Sequence, residues 1–415
     1  MSEWKTYRLG DIIQLKSGGT PDKSNPDYWG GPIPWISAKS MYDDFISTSD
    51  LFITEEGLQA GSKIAKKDSI LLLTRGSGLF NRIPVCYVVS DVAYNQDVKN
   101  IVLKQEDVTS IKFLYYWLYG NKELLSSMLE TTGIGAGKID TKRFLNLSIS
   151  LPSQKEQARY IHLMDLLFDK IELNRRINAN LEAQAQALFR SWFVDFEPFR
   201  DGPFVDSQLG KIPNDFQIIK TGEIPMIITD FVANGSFASL KDNVTILQEK
   251  DYAYFIRNVD LKDKKFETYV NKHAYEFLSK SALFGNEIII SNVGDVGSVF
   301  LCPKLDRPMT LGNNIIMLRP KESQMLYYLY IWFKWFQGQS LIQGIKSGSA
   351  QPKFNKTDFK NLPIILPPRT TLRAFHSIIE PFFNKINFLT HENQTLSALR
   401  DTLLPKLIAG EIAIE

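Results

Sequence analysis

The sequence contains little cysteine and little histidine, only two and four among 415 residues. Cys86 and Cys302 lie in apolar, strand-like runs, which predicts buried free thiols rather than a disulfide or a metal site. The four histidines are scattered and lack the spacing of zinc ligands. We therefore expect no metal bound by this chain.

Long apolar runs are also absent. No window holds the ~18 uninterrupted apolar residues of a membrane span, and the polar start Met1–Lys5 lacks the apolar core of a signal peptide. The composition, 44% hydrophobic and 23% charged, is typical of a globular protein of two or three domains. These features predict a cytoplasmic protein.

Excess charge of one sign is missing as well. The net charge of +2 is weak for a protein that binds nucleic acid alone. DNA binding would therefore need local basic patches, or a partner that holds most of the duplex.

Catalytic motifs are only superficially present. Gly133–Ile139 resembles a phosphate-binding loop, but it is one residue short, and Ile139 stands where Ser or Thr should hold magnesium. Asn25–Tyr28 resembles an adenine methyltransferase signature, but no Gly-rich cofactor loop follows a strand. No Gly-x-Ser-x-Gly elbow occurs. The sequence thus predicts no enzyme activity.

The chain instead contains an internal repeat. Residues 114–193 align without gaps on residues 329–408, an offset of 215, with 18 identities in 80 positions. Trp117/Trp332, Lys138/Lys353 and Leu188/Leu403 are among them. The period is too long for a solenoid unit, so each copy is a domain followed by a long helix.

The composition changes predict five segments. A strand-rich domain spans residues 1–152 and includes a helix at Ser110–Leu129, and a long helix spans 153–195, opened by a capping box of Ser153 and Glu156. A linker (196–213) leads to a second domain (214–367), and a second helix with a tail spans 368–415.

Both long helices carry an imperfect heptad seam and would be ~60 Å long. Two such helices most economically pack on each other, although an ordinary buried helix in each half is the alternative. Asn178 and Asn393 occupy equivalent seam positions and can fix the register. The predicted seam residues are Ile171, Asn178, Leu181, Leu188, Ile386, Asn393, Leu396 and Leu403.

Loop residues of both copies suit DNA contacts, because Arg, Asn and Gln pair with base edges and Lys with phosphates. The Gly/Lys-rich loop at Thr131–Lys138 recurs at Lys346–Lys353 and fits a basic loop that reaches a phosphate backbone, with a solvated turn as the alternative. The candidates in the first copy are Ser17, Thr20, Tyr28, Lys39, Arg75, Asn81, Arg82, Gln96 and Lys138. Those in the second copy are Arg257, Asn258, Asn292, Asn313, Lys346, Gln351 and Lys353.

Several stretches resemble the specificity subunit of type I restriction–modification systems. They are Tyr28–Ile36, the junction Phe144–Pro152 with Glu156-Gln157, Leu188–Phe199, the linker Leu209–Pro213 and the tail Leu399–Ile412. The resemblance covers nearly the whole chain. It departs at the second junction, where Glu-Gln is missing, and at residues 222–250.

This resemblance implies an α+β fold with a pseudo-twofold internal repeat. Two similar mixed α/β target-recognition domains would be separated by two long antiparallel helices that form a coiled-coil spacer. Each domain would read one half of a bipartite, asymmetric DNA target, with half-sites ~34 Å apart if both use the major groove on one face.

The resemblance also implies partners. Two methyltransferase subunits and two ATP-driven restriction (translocase) subunits would bind around this chain, and S-adenosylmethionine, ATP and magnesium would belong to them. The rival hypotheses are a single-chain methyltransferase or nuclease, a coiled-coil scaffold that binds only proteins, and a specificity chain without a restriction partner.

Overall fold

The computed structural model describes residues 4–133, 135–348 and 351–412. Its contacts divide the chain into two units. Unit 1 comprises the described parts of Met1–Asn174 and Glu392–Glu415, and unit 2 comprises those of Arg175–His391. The division passes through both long helices, so each unit holds one strand-rich domain, called its head, and part of each helix.

Short strands and helices build the head of unit 1, and one long helix follows. The strands are β1 (Lys5–Arg8), β2 (Ile13–Ser17), β3 (Trp29–Ile36), β4 (Phe45–Ile46), β5 (Phe52–Ile53), β6 (Lys63–Ala65), β7 (Ser69–Leu73), β8 (Arg75–Gly76), β9 (Val85–Val88), β10 (Val92–Tyr94), β11 (Val98–Leu103), β12 (Leu129–Thr131), β13 (Gly137–Ile139) and β14 (Ser148–Leu151). The helices are α1 (Leu9–Ile12), α2 (Glu55–Gly61), α3 (Ile111–Gly120), α4 (Lys122–Ser126), α5 (Thr141–Leu145) and the long α6 (Gln154–Phe193).

Two sheets form most of this head, in the strand orders β2-β11-β7-β9-β4 and β5-β3-β10-β6. Strands β7 and β9 are buried along their whole length and read as apolar runs, as strands covered on both faces do. Strand β3 runs parallel to β10, so their carboxyl ends lie side by side. The helix predicted at Ser110–Leu129 is interrupted, because Asn121 leaves the helical conformation and its side chain caps the Trp117 carbonyl.

The head of unit 2 is built in the same way. Its strands, with a preceding hairpin, are β15 (Phe204–Ser207), β16 (Gly210–Pro213), β17 (Gln217–Lys220), β18 (Met226–Asp230), β19 (Ala253–Ile256), β20 (Tyr269–Val270), β21 (Ala282–Leu283), β22 (Ile288–Ser291), β23 (Val299–Leu301), β24 (Met309–Leu311), β25 (Ile315–Pro320) and β26 (Pro363–Leu366). The helices are α7 (Phe237–Asn243), α8 (Asn258–Asp263), α9 (Lys272–Phe277), α10 (Leu326–Lys334), α11 (Phe336–Gly344), α12 (Lys356–Lys360) and the long α13 (Arg369–Ile408).

The sheet topology confirms the internal repeat. The order β20-β19-β24-β21 repeats β5-β3-β10-β6, and β18-β25-β22-β23 repeats β2-β11-β7-β9. Strands β19 and β24 are parallel, as β3 and β10 are. The pair β17–β26 repeats β1–β14. Helix α7 lies within residues 222–250, the stretch in which the sequence departs from the family resemblance.

The capping box predicted at the start of the first long helix is present. The Ser153 backbone N–H donates to a Glu156 carboxylate oxygen at 3.2 Å, and the Glu156 N–H donates to Ser153 Oγ at 3.4 Å. Because the first amides of a helix lack internal partners, this exchange explains why α6 begins at Gln154.

In each unit, parts of α6 and α13 pack antiparallel. In unit 1, the Asn393 amide donates to the Ile171 carbonyl at 3.1 Å, and Tyr160 contacts Ile412. In unit 2, Asn178 lies 3.3 Å from Thr390, and the rings of Phe193 and Phe375 are 4.8 Å apart. Partner numbers thus fall along α13 as they rise along α6.

The predicted seam residues are, with one exception, not among the fully buried positions of α6 and α13. Ile171 is buried, and the other seven are half-buried. Each helix also packs on its head, which buries aromatic residues beside the seam, such as Phe168 on α3 and Phe383 on α10. Asn393 also pairs at 2.8 Å with the fully buried Asn174.

Candidate nucleic-acid interface

The carboxyl ends of β3 and β10 start a polar surface on the head of unit 1. The Asn95 N–H donates to the Ile36 carbonyl at 2.9 Å, which joins the two strand ends. Gln96 follows and is exposed. Loops that leave adjacent parallel strands on one side are a common place for binding residues, since a rigid sheet holds them.

The segment Ser17–Thr20 packs against this turn. The Gly19 N–H donates to the Tyr94 carbonyl at 2.9 Å, and Thr20 Oγ1 donates to Gln96 Oε1 at 2.6 Å. A Cβ on Gly18 would lie 2.1 Å from the Tyr94 carbonyl oxygen, so this approach requires glycine. The predicted residues Ser17, Thr20 and Gln96 therefore lie together.

Lys99 belongs to the same cluster, although the sequence suggested only a strand residue there. Its ammonium donates to Ser17 Oγ at 2.7 Å and to the Gln96 carbonyl at 3.4 Å. Burial lowers the pKa of Lys99, and the nearby Asp97 opposes that shift. The alternation of side chains along β11 could have indicated this position, because Lys99 must lie on the face opposite the buried Asn100.

A basic pair extends the surface. The Thr74 N–H donates to the Asp97 carbonyl at 2.9 Å, and the Ile139 N–H donates to the Thr74 carbonyl at 2.9 Å. This arrangement sets Arg75 directly opposite Lys138 in the β8–β13 ladder, with both side chains exposed. The first Gly/Lys-rich loop is thus tied to the strand ends, while its residue Ile134 lies outside the described residues.

Unit 2 repeats these backbone bonds. The Gly312 N–H donates to the Ile256 carbonyl at 2.7 Å, and the Asn292 N–H donates to the Asn314 carbonyl at 3.1 Å. The Phe354 N–H donates to the Asn292 carbonyl at 3.0 Å, and Val293 pairs with Lys353. Val293 therefore stands where unit 1 has Arg75, and Asn313 stands where it has Gln96.

The structure separates the other candidates of unit 1. The Arg82 guanidinium donates to the backbone carbonyls of Met41 and Tyr42, so it braces a loop. Lys39 is exposed in the turn after β3, and Asn81 is exposed after a single helical turn at Ser77–Phe80. Tyr28 is half-buried, and its carbonyl accepts the Thr54 N–H.

In unit 2, three predicted residues are engaged internally. Arg257 makes a two-pronged ion pair with Asp260, with distances of 2.9 and 2.6 Å, and these hydrogen bonds raise the pKa of Arg257. Asn258 and Asn292 are half-buried. Asn313, Lys346, Gln351 and Lys353 are exposed. Ser349 and Ala350 of the second Gly/Lys-rich loop lie outside the described residues.

The cysteines are free and buried, as predicted. Burial raises the pKa of Cys86 to about 12 and also raises that of Cys302, so neither is a ready thiolate. Among residues 4–133, 135–348 and 351–412, no cluster of His, Cys, Asp and Glu could hold a metal ion. No helix in the same ranges is long and apolar enough to span a membrane.

Comparison with known proteins bears on this surface. Residues 1–183 and 194–398 match the family described as type I restriction modification DNA specificity domain. The MjaIX specificity subunit of Methanocaldococcus jannaschii is 29% identical over all of this chain and 94% of its own length. The HindI specificity subunit of Haemophilus influenzae is 25% identical over 99% of this chain and all of its own.

A solved structure agrees at the level of the fold. The S subunit of a type I restriction–modification system from M. genitalium superposes with a TM-score of 0.58 at 17% identity, covering 98% of this chain and 96% of its own. The sequence-based prediction of family and fold is confirmed. The chain belongs to the type I restriction–modification DNA specificity family, as a non-catalytic specificity subunit that recognises DNA sequence.

Proposed function

We propose that this chain directs partner subunits to a bipartite, asymmetric DNA sequence, where they methylate adenine or cleave DNA with ATP. The heads, residues 1–152 and 214–367, would each read one half-site. The supporting observation is that both heads repeat the same backbone bonds, at Asn95 and Gly312, beneath different exposed side chains. A repeated frame with different side chains suits a target whose two parts differ.

The charge balance supports a function within a complex. A net charge of +2 leaves few phosphate contacts for this chain alone. Two methyltransferase subunits and two restriction (translocase) subunits would therefore hold most of the duplex. They would also bind S-adenosylmethionine, ATP and magnesium, while this chain would bind no cofactor. The complex would act in the cytoplasm.

The long helices would set the length of the unread gap between the half-sites. Both α6 and α13 have 40 residues. Deleting one heptad from each removes about 10 Å of helix, close to the length of three base pairs. We expect a target with a shorter gap and unchanged half-sites. An unchanged gap would contradict the spacer role alone.

The decisive experiment is to sequence methylated DNA from a host without adenine methylation of its own, expressing this chain and its methyltransferase. The expected result is methylated adenine at one split, asymmetric motif that disappears when this chain is omitted. No motif from soluble, associated proteins would contradict the proposal and favour the scaffold hypothesis.

A second experiment tests the basic pair. Each protein cation that neutralises a phosphate adds about 0.9 to the slope of log affinity against log salt. We expect the change Arg75→Ala with Lys138→Ala to reduce that slope in the assembled complex by about 2. The control is Lys67→Ala, which should leave the slope unchanged. Lys67 is exposed and precedes the first residue of β7, whereas Arg75 follows the last residue of that strand.

A further inference from the structure

Among the candidate amides, only Gln96 and Asn313 occupy equivalent positions in the two heads. Gln96 follows Asn95, whose N–H bonds to Ile36, and Asn313 follows Gly312, whose N–H bonds to Ile256. The carbonyl of the next residue also accepts a hydrogen bond in both heads. Asp97 accepts from the Thr74 N–H at 2.9 Å, and Asn314 accepts from the Asn292 N–H at 3.1 Å. Each amide residue is therefore fixed between two backbone bonds.

The two side chains face solvent at the tip of a tight turn. Both are exposed. In unit 2 the turn is sharpened by Asn314, whose φ of 64° is left-handed, and a Cβ on Gly312 would lie 2.6 Å from the Ile256 carbonyl oxygen. A narrow, rigid turn with a terminal amide has a shape that can enter a DNA groove.

Thr20 orients the amide in unit 1. It donates to Gln96 Oε1 at 2.6 Å, and this bond directs the NH2 group away from Thr20. An amide oxygen has two lone pairs, so Oε1 can still accept one further hydrogen bond. Gln96 thus presents a donor and an acceptor side by side.

Exposed cations flank this amide in the same unit. Asp97, the residue after Gln96, accepts the Thr74 N–H. Arg75 follows Thr74 and lies opposite Lys138 in the β8–β13 ladder. In unit 2, Lys353 holds the position of Lys138. Phosphate contacts from such cations fix the register, and the amide then reads a base edge.

We propose that Gln96 and Asn313 are base-reading residues of their heads, and that each reads an adenine in the major groove. An amide accepts from adenine N6 and donates to N7, a pairing that the other bases do not offer in that geometry. Thr20 is a positioning residue for Gln96. This inference rests on the proposed function.

The test compares methylation motifs of the wild-type complex with those of Gln96→Ala and Asn313→Ala. We expect each change to relax one A·T position in one half-site, with discrimination there falling on the order of 10- to 100-fold. Gln96→Glu, nearly isosteric but without the donor, should shift preference at that position toward cytosine. Thr20→Val should relax the same position less than Gln96→Ala does.

Gln105→Ala is the matched control, because Gln105 is an exposed amide just beyond the opposite end of β11. It should leave the motif intact. A wild-type motif that persists unchanged in Gln96→Ala and Asn313→Ala, or relaxation at a G·C position, would overturn this inference alone. Absence of any motif in the wild type would overturn the proposed function as well. Co-purification with the methyltransferase verifies that each variant is folded.

Discussion

The two heads join the long helices through equivalent positions filled by different side chains. In unit 1, Gly120 lies beneath Leu404 and Ile408, so a Cβ on Gly120 would come within 2.7 Å of Ile408. In unit 2 the equivalent of Gly120 is Trp335, whose ring lies 5.8 Å from Phe189. At this position, unit 1 thus packs the small Gly120 against aliphatic side chains, whereas unit 2 packs the large Trp335 ring against an aromatic side chain.

The charged residues at these joints differ as well. In unit 1, the Arg400 guanidinium lies 5.0 Å from the rings of both Tyr119 and Phe168. The helix position equivalent to Arg400 in unit 2 is Ala185, and the cation comes instead from Lys334 of the head, 5.0 Å from the Tyr330 ring. The repeat thus retains the backbone topology, while the side chains between head and helices differ in the two units.

The largest expected difference between the joints is in aromatic packing. Phe193 is 1% exposed and packs on Tyr328 and Phe375, each with a ring distance of 4.8 Å. We expect Phe193→Ala to lower the unfolding free energy of unit 2 by about 3–5 kcal/mol. The equivalent change in unit 1, Ile408→Ala, should cost about 2–3 kcal/mol.

Hydrogen exchange at α10 and α3 measures the two effects separately. Phe193→Ala should reduce protection in α10, and Ile408→Ala should reduce it in α3. If either change reduced protection equally in α10 and α3, the two joints would unfold together, and this comparison would fail.

The charged joints should differ by a smaller amount. Arg400 is 9% exposed at its side chain and lies 3.8 Å from the Asp44 carboxylate. We expect Arg400→Met to cost about 1–3 kcal/mol, because it removes ring contacts and leaves Asp44 without this cation. Lys334→Met should cost less than about 1 kcal/mol, since Lys334 is exposed. Thermal unfolding of both variants beside the wild type decides this, and a larger loss from Lys334→Met would contradict it.

The sequence predicted the repeat, the domain–helix order and the start of α6 correctly, because these depend on local signals. Ser153 and Glu156 are close in sequence, and the 215-residue offset is a property of the chain itself. The helix predicted at Ser110–Leu129 was too long, because a break at Asn121 leaves the apolar pattern on either side almost intact.

The site was less predictable, because its residues come together only in the folded head. The equivalence of Gln96 and Asn313 is hidden by an offset of 217 residues, two more than in the aligned region. The internal role of Arg82 depends on the distant carbonyls of Met41 and Tyr42, which spacing does not connect to it. Arg257 and Asp260, by contrast, are an i,i+3 pair that the spacing alone could have indicated. Exposed arginines and structural arginines have the same appearance in a sequence.

The last difference between the joints concerns pH and involves a lysine of unit 1. Burial lowers the pKa of Lys122 to about 8, and the nearby Arg82 and Arg400 act in the same direction while Asp44 opposes them. Its Nζ lies 3.3 Å from the Tyr119 ring centroid. The equivalent residue in unit 2 is Gln337, which does not titrate.

The folded pKa of Lys122 is below the unfolded value of about 10.4, so the folded state loses this proton first as pH rises. From about pH 8 to about pH 10, Lys122 should therefore add stability to unit 1. In the same range the buried Cys86 thiol, whose pKa is raised to about 12, acts in the opposite direction, because the unfolded thiol ionises near pH 8.5. Above that range, tyrosines such as Tyr119, whose pKa burial raises, oppose the trend, because they ionise more readily when unfolded. In guanidinium unfolding of unit 1, the stability of the wild type relative to Lys122→Gln should increase between about pH 8 and about pH 10, because Cys86 and the tyrosines contribute equally to both proteins. Unit 2 serves as the internal control. A difference between the two proteins that stays constant over this pH range would contradict the titration of Lys122 and remove this distinction between the joints.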